Sequence, residues 1–266
     1  MNKFIRYLTV AFFVTVICVS GNNLQEISGQ YAAEHKIKNE LSKYRPALPQ
    51  AFAAKNAYAM GKAHNDALFN ADFEINGQTG DAGIIVNQSV VDMQNSVNND
   101  VVGWLYIPDT RIDYPVVAAD DNEYYLRRDI YHHQSNAGSI FMDYRCKCGL
   151  SKFNTIIYGH SMKNKSMFGD LKLFGDPDFF NMHTRGALFT VDGAYMLDIF
   201  AYMVVGADDK LIYDPSAETD VFLEYVRRFA RQYREPVPGN IVTLSTCAYE
   251  YDGARTVVLA ALNRYK

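Results

Sequence analysis

The residues best suited to chemistry are a cysteine, a histidine and an arginine, each at the expected end of a strand. Cys247 closes the run Asn240-Ile241-Val242-Thr243-Leu244-Ser245-Thr246-Cys247, and Thr256 to Leu262 is again β-branched and aliphatic. The polar loop between them contains Asp252-Gly253, so the stretch predicts two strands, with Cys247 closing the first and Arg255 opening the second. Neighbouring antiparallel strands bring two such residues to one rim and set a thiol beside a permanent cation. His160 ends the strand Phe153-Asn154-Thr155-Ile156-Ile157-Tyr158-Gly159-His160, where Gly159 permits close backbone approach. Cysteine attacks as thiolate, and an unperturbed thiol with a pKa of about 8.5 is mostly protonated at neutral pH. A histidine within hydrogen-bond reach raises the thiolate fraction or takes the proton as attack occurs. Taken alone, an isolated cysteine is equally consistent with a small buried hydrophobe.

The elements that must position these residues follow in order. Val86 to Asn99 predicts a short helix. Val102 to Pro108 and Ile112 to Val117 predict strands around the turn Asp109-Thr110-Arg111, and Asn122 to Arg128 a helical turn. Ser139 to Asp143 predicts a strand, Met167 to Phe174 a short helix, and Ala187 to Val191 and Tyr195 to Val205 two further strands. Glu218 to Tyr233 is the clearest helix, with Thr219 as N-cap, an apolar stripe of Val221, Phe222, Tyr225, Val226 and Phe229, and Arg227, Arg228, Arg231 and Arg234 toward its C-terminus. About eight strands with few helices predict a mostly β fold, a single closed barrel from roughly residue 100 to 266.

Composition bounds the possibilities. The chain has 266 residues, 48% of them hydrophobic and 21% charged, which suits a packed globular protein. The net charge of −4 becomes more negative without residues 1–20, which hold Lys3 and Arg6 and no acid, so nothing electrostatic argues for nucleic acid. Lys3 and Arg6 precede the apolar run Tyr7 to Val19, an orientation signal that leaves everything after residue 20 exported. The run is short for a span, and Cys18-Val19-Ser20 resembles a small-x-small cleavage site, so this segment alone fits a cleaved signal and an anchor equally. From Gly21 to about Gly83 the character changes. Gln25 to Tyr44 is helix-forming, Pro46 and Pro49 interrupt it, Ala51 to Phe69 is Ala-rich, and Asn76 to Gly83 reads as a loop, together a stalk with His35 and His64 as solvated helix residues. Cys146 and Cys148 form a C-x-C pair in the stretch Arg145 to Gly149. Without a second ligand pair this reads as a surface loop, so neither metal nor cofactor is expected, and the four cysteines suggest no disulfide framework.

The local words go further. Thr243-Leu244-Ser245-Thr246-Cys247 with Arg255 on the next strand and Ile157-Tyr158-Gly159-His160 upstream resembles the sortase family of cysteine transpeptidases, whose signature is Thr-Leu-x-Thr-Cys with a downstream Arg and an upstream Gly-His. Val102 to Leu105, Asp113 to Val117, Ser166 to Leu171 and the long helix before the cysteine strand resemble its class B branch. The resemblance covers about residues 86–266. It implies an eight-stranded sortase-type β-barrel at 86–266 with peripheral helices, a helical and flexible stalk at 21–85, and an uncleaved anchor at 1–20 holding the domain outside a Gram-positive-type membrane.

The resemblance also implies roles. Cys247 would attack the carbonyl of a Thr-x bond in the C-terminal sorting motif of a secreted protein. An amine of a peptidoglycan cross-bridge or a pilin lysine would resolve the thioester, with His160 as general acid and then base. Arg255, which stays protonated, would orient the carbonyl and stabilise the oxyanion. Ser245, two positions before the cysteine, falls on the same strand face, and Thr246, Asn122, Leu126 and Tyr213 are further candidates for contact with the substrate. Ala248 stands where some class B members carry an acid. Two other readings stay open: a Cys-His endopeptidase that releases its product to water, and an inactive exported barrel that binds surface proteins.

Overall fold

The computed structural model describes residues 28–47, 87–147, 149–247 and 253–264, with Cys247 placed by its backbone. The chain divides between Lys43 and Tyr44 into two compact units. The first contains a helix over 28–41 that tightens into a 3-10 turn at Ser42–Tyr44. Exposed His35 bonds Asn39 one turn on, as a solvated helix histidine does. The runs expected at Tyr7–Val19 and Ala51–Phe69, and His64, lie outside the described residues.

Among the described residues the second unit is built on nine strands: β1 Val101–Tyr106, β2 Asp113–Val117, β3 Ile140–Met142, β4 Asn154–Tyr158, β5 Arg185–Thr190, β6 Gly193–Gly206, β7 Gln232–Tyr233, β8 Asn240–Cys247 and β9 Ala254–Arg264. They run in the order β5-β1-β2-β3-β4-β8-β9-β6-β7, and a further β5–β6 pairing closes eight of them into a barrel. The length of β6 makes closure possible. Its first half pairs with β5 from Arg185↔Asp198 to Thr190↔Gly193, its second half takes the two-residue β7, and β9 runs along its other edge. The eight-stranded barrel expected from the sequence is the fold observed.

Strand alternation sorts side chains into two cores. Leu105, Ile107, Ile112, Val116, Ile157, Val242, Leu244, Val258, Ala260 and Leu262 fill the barrel interior. Ile241, Val257, Leu259 and Ala261, the alternate residues of β8 and β9, form an outer layer with Phe200, Met203 and Val205 of β6. That layer is covered by Ile212 and by helix α3, Thr219–Phe229, through Phe222 and Val226. Burial on both faces explains why these central strands are almost continuously apolar. Phe222 is fully buried and meets Phe153 edge-on with ring centroids 5.4 Å apart.

Several local expectations are corrected. Glu218, not Thr219, caps α3, its carboxylate accepting from the backbone N–H groups of Asp220 and Val221. The helix stops at Phe229, because Ala230 is extended and the chain enters β7. The segment expected as a helix at 167–174 is a 3-10 stretch at Gly169–Gly175. Helix α1 is Gln88–Ser96, and α2, Pro177–Met182, was not foreseen, although Asp176 accepts from the N–H groups of Asp178 and Phe179 and Pro177 opens the first turn. Cys146 is not on a surface loop. It ends a 3-10 turn, is 1% exposed, and its thiol donates to the Asn154 carbonyl, while burial pushes its pKa up. Cys148 lies outside the described residues. Arg45, within the expected stalk, belongs to the barrel unit: its Nε lies 3.0 Å from Asp113, and its guanidinium stacks over the Tyr106 ring at 4.9 Å.

Candidate active site

Two strand registers bring the chemically capable residues to one level. The parallel pair β4–β8 runs in step from Asn154↔Ile241 to Tyr158↔Ser245. His160 and Cys247 each lie two residues beyond the last pair, so they leave adjacent strands side by side at the same rim. Across the other edge of β8 the antiparallel register sets Cys247 directly opposite Arg255. Three successive strands thus deliver histidine, cysteine and arginine in a row.

Packing fixes the approach of His160. A side chain on Gly159 would come within 2.9 Å of the Phe168 ring and would also collide with Ile140, so this position accepts only glycine without rearrangement. The Gly159 N–H donates to the Ser245 carbonyl at 3.2 Å, extending the β4–β8 ladder by one step toward the rim. The His160 carbonyl accepts from Phe168, and its Nε2 donates to the Leu126 carbonyl at 2.7 Å. A carbonyl only accepts, so Nε2 carries a proton and Nδ1 is the nitrogen left to exchange one.

The other candidates separate by face. Ser245 is buried, and its hydroxyl pairs with the Tyr213 hydroxyl at 2.9 Å. Leu126 contributes its carbonyl to His160, and Asn122 sits at the start of the same segment. Thr246 falls on the alternate face with Val242 and Leu244, 4% exposed and with no hydrogen-bond partner for its hydroxyl among the described residues. It therefore shares the interior face of β8 with Val242 and Leu244, opposite to the face of Ser245. Ala248 lies outside the described residues. Arg255 is half-buried and donates to the Ala254 carbonyl at 3.0 Å.

Sequence reasoning missed a buried charged cluster where β3 ends alongside β4. Asp143, fully buried at the end of β3, takes a two-pronged ion pair from Arg145, Nε to Oδ1 and Nη2 to Oδ2, both 2.8 Å. Its Oδ2 also accepts from Asn122 Nδ2 and from the Tyr158 hydroxyl, each at 3.0 Å. Burial alone would raise the Asp143 pKa, but the bonds from Arg145 and Asn122 outweigh it and hold the carboxyl below its usual range. Burial, then the neighbouring carboxylate, pushes the Tyr158 phenol well above its ordinary value, so it remains a donor. Asp143 reads in sequence as the last residue of an expected strand, and no local signal joins positions 122, 143 and 158. Among the described residues no group of three His, Cys, Asp or Glu side chains is arranged to hold a metal ion.

A closed eight-stranded barrel with cysteine, histidine and arginine on three adjacent strand ends defines a β-barrel thiol enzyme. Comparison with known proteins gives that class its family. The Sortase domain family model matches residues 105–263. Sortase B of Listeria monocytogenes is 38% identical over 185 residues, 66% of this chain and 75% of that protein. Among solved structures, sortase B from Bacillus anthracis in complex with AAEK1 superposes with a TM-score of 0.61 at 37% identity, covering 68% of this chain and 86% of the other. A Streptococcus pyogenes class B sortase involved in pilus biogenesis gives 0.60 at 31% identity, over 65% and 97%. The chain belongs to the sortase family of cysteine transpeptidases, and these relatives are of class B.

Proposed function

We propose that this protein is a membrane-anchored transpeptidase that cleaves secreted proteins after Thr in a C-terminal sorting motif and joins them to a cell-surface amine. The observation that carries the reading is the pair of registers that set His160, Cys247 and Arg255 in one row on adjacent strand ends. The Cys247 thiolate attacks the Thr carbonyl carbon, and Arg255 stabilises the resulting oxyanion. As the C–N bond breaks, His160 gives a proton from Nδ1 to the departing amine, leaving a thioester between the Thr carbonyl and Cys247. An incoming amine attacks that thioester, His160 takes its proton, and the new amide leaves as the thiolate is restored. Ser245, Tyr213, Asn122 and Leu126 flank the acyl donor. The acceptor is a peptidoglycan cross-bridge amine or a pilin lysine.

The charge pattern of Lys3 and Arg6 before Tyr7 to Val19 supports an anchor at residues 1–20, with the catalytic domain at 86–266 outside a Gram-positive-type cell and residues 21–85 as the connecting stalk. No helix among the described residues is long and apolar enough to cross a membrane, and residues 1–20 are not among them. Incubating the full-length protein with fluorogenic peptides that carry Thr at the cleaved bond, with and without triglycine, tests the reaction. Amide product at the expense of acid is the expected result. Acid alone at every triglycine concentration identifies a hydrolase, and no cleavage by wild type together with an unaltered Cys247→Ala cell phenotype identifies a binding module.

A further inference from the structure

We propose that Asp143 is a positioning residue for the peptide-binding face, holding Asn122 and Tyr158 directly, and Tyr213 through Arg145, where they meet the acyl donor beside Cys247. The inference rests on the reading of that rim as a peptide site. Its geometric basis is one carboxylate with two branches.

On the histidine side, Asn122 donates to Asp143 Oδ2 and accepts from the Tyr144 N–H at 3.1 Å. These bonds clamp the start of the segment whose Leu126 carbonyl receives His160 Nε2. On the cysteine side, Arg145 Nη2 reaches past Asp143 to the Tyr213 carbonyl at 2.9 Å, and the Tyr213 hydroxyl meets Ser245, two residues before Cys247. Tyr158 joins the branches. It donates to Asp143, lies opposite Ser245 in the β4–β8 register, and its ring centroid is 6.2 Å from that of Tyr213.

The burial gradient argues against a purely structural role. Asp143 is fully buried, whereas Asn122, Tyr158 and Tyr213 are half-buried, so the interior carboxylate fixes groups that reach the surface. A rigid two-pronged pair at the root of a wall limits the rotamers of every side chain bonded to it, which lowers the ordering cost when a peptide binds. Asp143 is not placed to exchange a proton with the reacting atoms, since both its oxygens are occupied by donors and its backbone N–H bonds Ile156, four residues before His160 on the neighbouring strand.

The test compares full-length wild type with Asp143→Asn and Arg145→Lys, using the best-cleaved peptide of the Thr library and, separately, iodoacetamide alkylation of Cys247 followed by mass spectrometry. Asp143→Asn keeps the shape and removes the charge. Arg145→Lys keeps the charge and removes the fork. Each variant is expected to raise KM about tenfold while kcat and the alkylation rate stay within about threefold of wild type. An unchanged KM in folded variants overturns the proposal, as does a parallel fall of kcat and alkylation, which marks general loosening. If Asp143→Asn precipitates, Arg145→Lys decides by the same thresholds. A wild type that cleaves no peptide yet alkylates at Cys247 removes the peptide-site reading and this proposal together; a cleaving wild type with an unresponsive KM in the variants removes this proposal alone.

Discussion

Cys247 and Arg255 are register partners across the antiparallel β8–β9 pair, and Arg255 is paired in turn with Val205 of β6. The cation therefore approaches the cysteine level from a strand hydrogen-bonded on both sides, and its backbone cannot shift without breaking the barrel wall. A backbone held this firmly suits the oxyanion-stabilising role proposed for Arg255. Arg255→Ala is expected to lower kcat for peptide cleavage about 10²- to 10³-fold, and Arg255→Lys to recover only part of the loss, because a point charge cannot reproduce the fork. Steady-state kinetics on both variants checks this, and a fully active lysine variant would show that charge alone suffices.

The bond from His160 Nε2 to the Leu126 carbonyl assigns proton exchange to Nδ1. In the proposed reaction cleavage needs the thiol without its proton and the imidazole with one. The expected pH–rate profile is a bell. A curve rising in one step to a plateau would contradict the paired requirement.

Gly159 is enclosed by Phe168 and Ile140 one residue before the histidine. Gly159→Ala is expected to destabilise the protein by about 1–3 kcal/mol through overpacking. Because the displaced backbone carries His160, kcat should also fall, by about tenfold or more. Thermal melts and kinetics on the same preparation separate the two effects; a variant with wild-type activity would mean that the rim relaxes independently of His160.

The lowered pKa of Asp143 has a definite sign. A carboxyl whose folded-state value is depressed contributes stability that is present above its unfolded pKa, about 3.9, and is lost as pH falls through the folded value. Asp143→Asn should melt lower than wild type at pH 7, by about 1–3 kcal/mol of stability. The gap should narrow as the pH is taken below about 4. A gap that stays constant down to acid pH would show that charge is not what the pair contributes.

Phe222 anchors α3 on the outer layer. Phe222→Ala is expected to cost about 3–5 kcal/mol, measured by denaturant unfolding. A loss below about 1 kcal/mol would indicate that the helix adds little to the stability of β8 and β9.

Much of this protein was legible in its sequence because the signals are local. Period-two alternation in Ile241 to Thr246 and the β-branched run after Arg255 mark a hairpin, and the antiparallel register sets the cysteine opposite the arginine. Glycine before His160 announces a crowded strand tip, and the structure supplies the crowding side chains. The amphipathic stripe of α3 predicted its docking, which runs through Phe222 and Val226, whereas Val221 and Phe229 at the two ends of the helix stay exposed. Its ends were misplaced because the capping carboxylate of Glu218 and the edge of β6 compete with helix propensity from outside the segment.

The sequence by itself determined the eight strands of the barrel, though not the two-residue β7, together with the residue types at the rim and the placing of Cys247 and Arg255 at the facing ends of successive strands, all of which follow from alternation. Only the tertiary structure decided that β4 runs parallel to β8 with Tyr158 opposite Ser245, which is what brings His160 beside Cys247. It alone gathered Asn122, Asp143, Arg145, Tyr158 and Tyr213 into one network, and it took Cys146 out of solvent. The reason is physical. Alternation within a strand is fixed by backbone geometry and survives in any sequence window, but the pairing of distant strands is fixed by closure of the sheet, a property of all eight strands together.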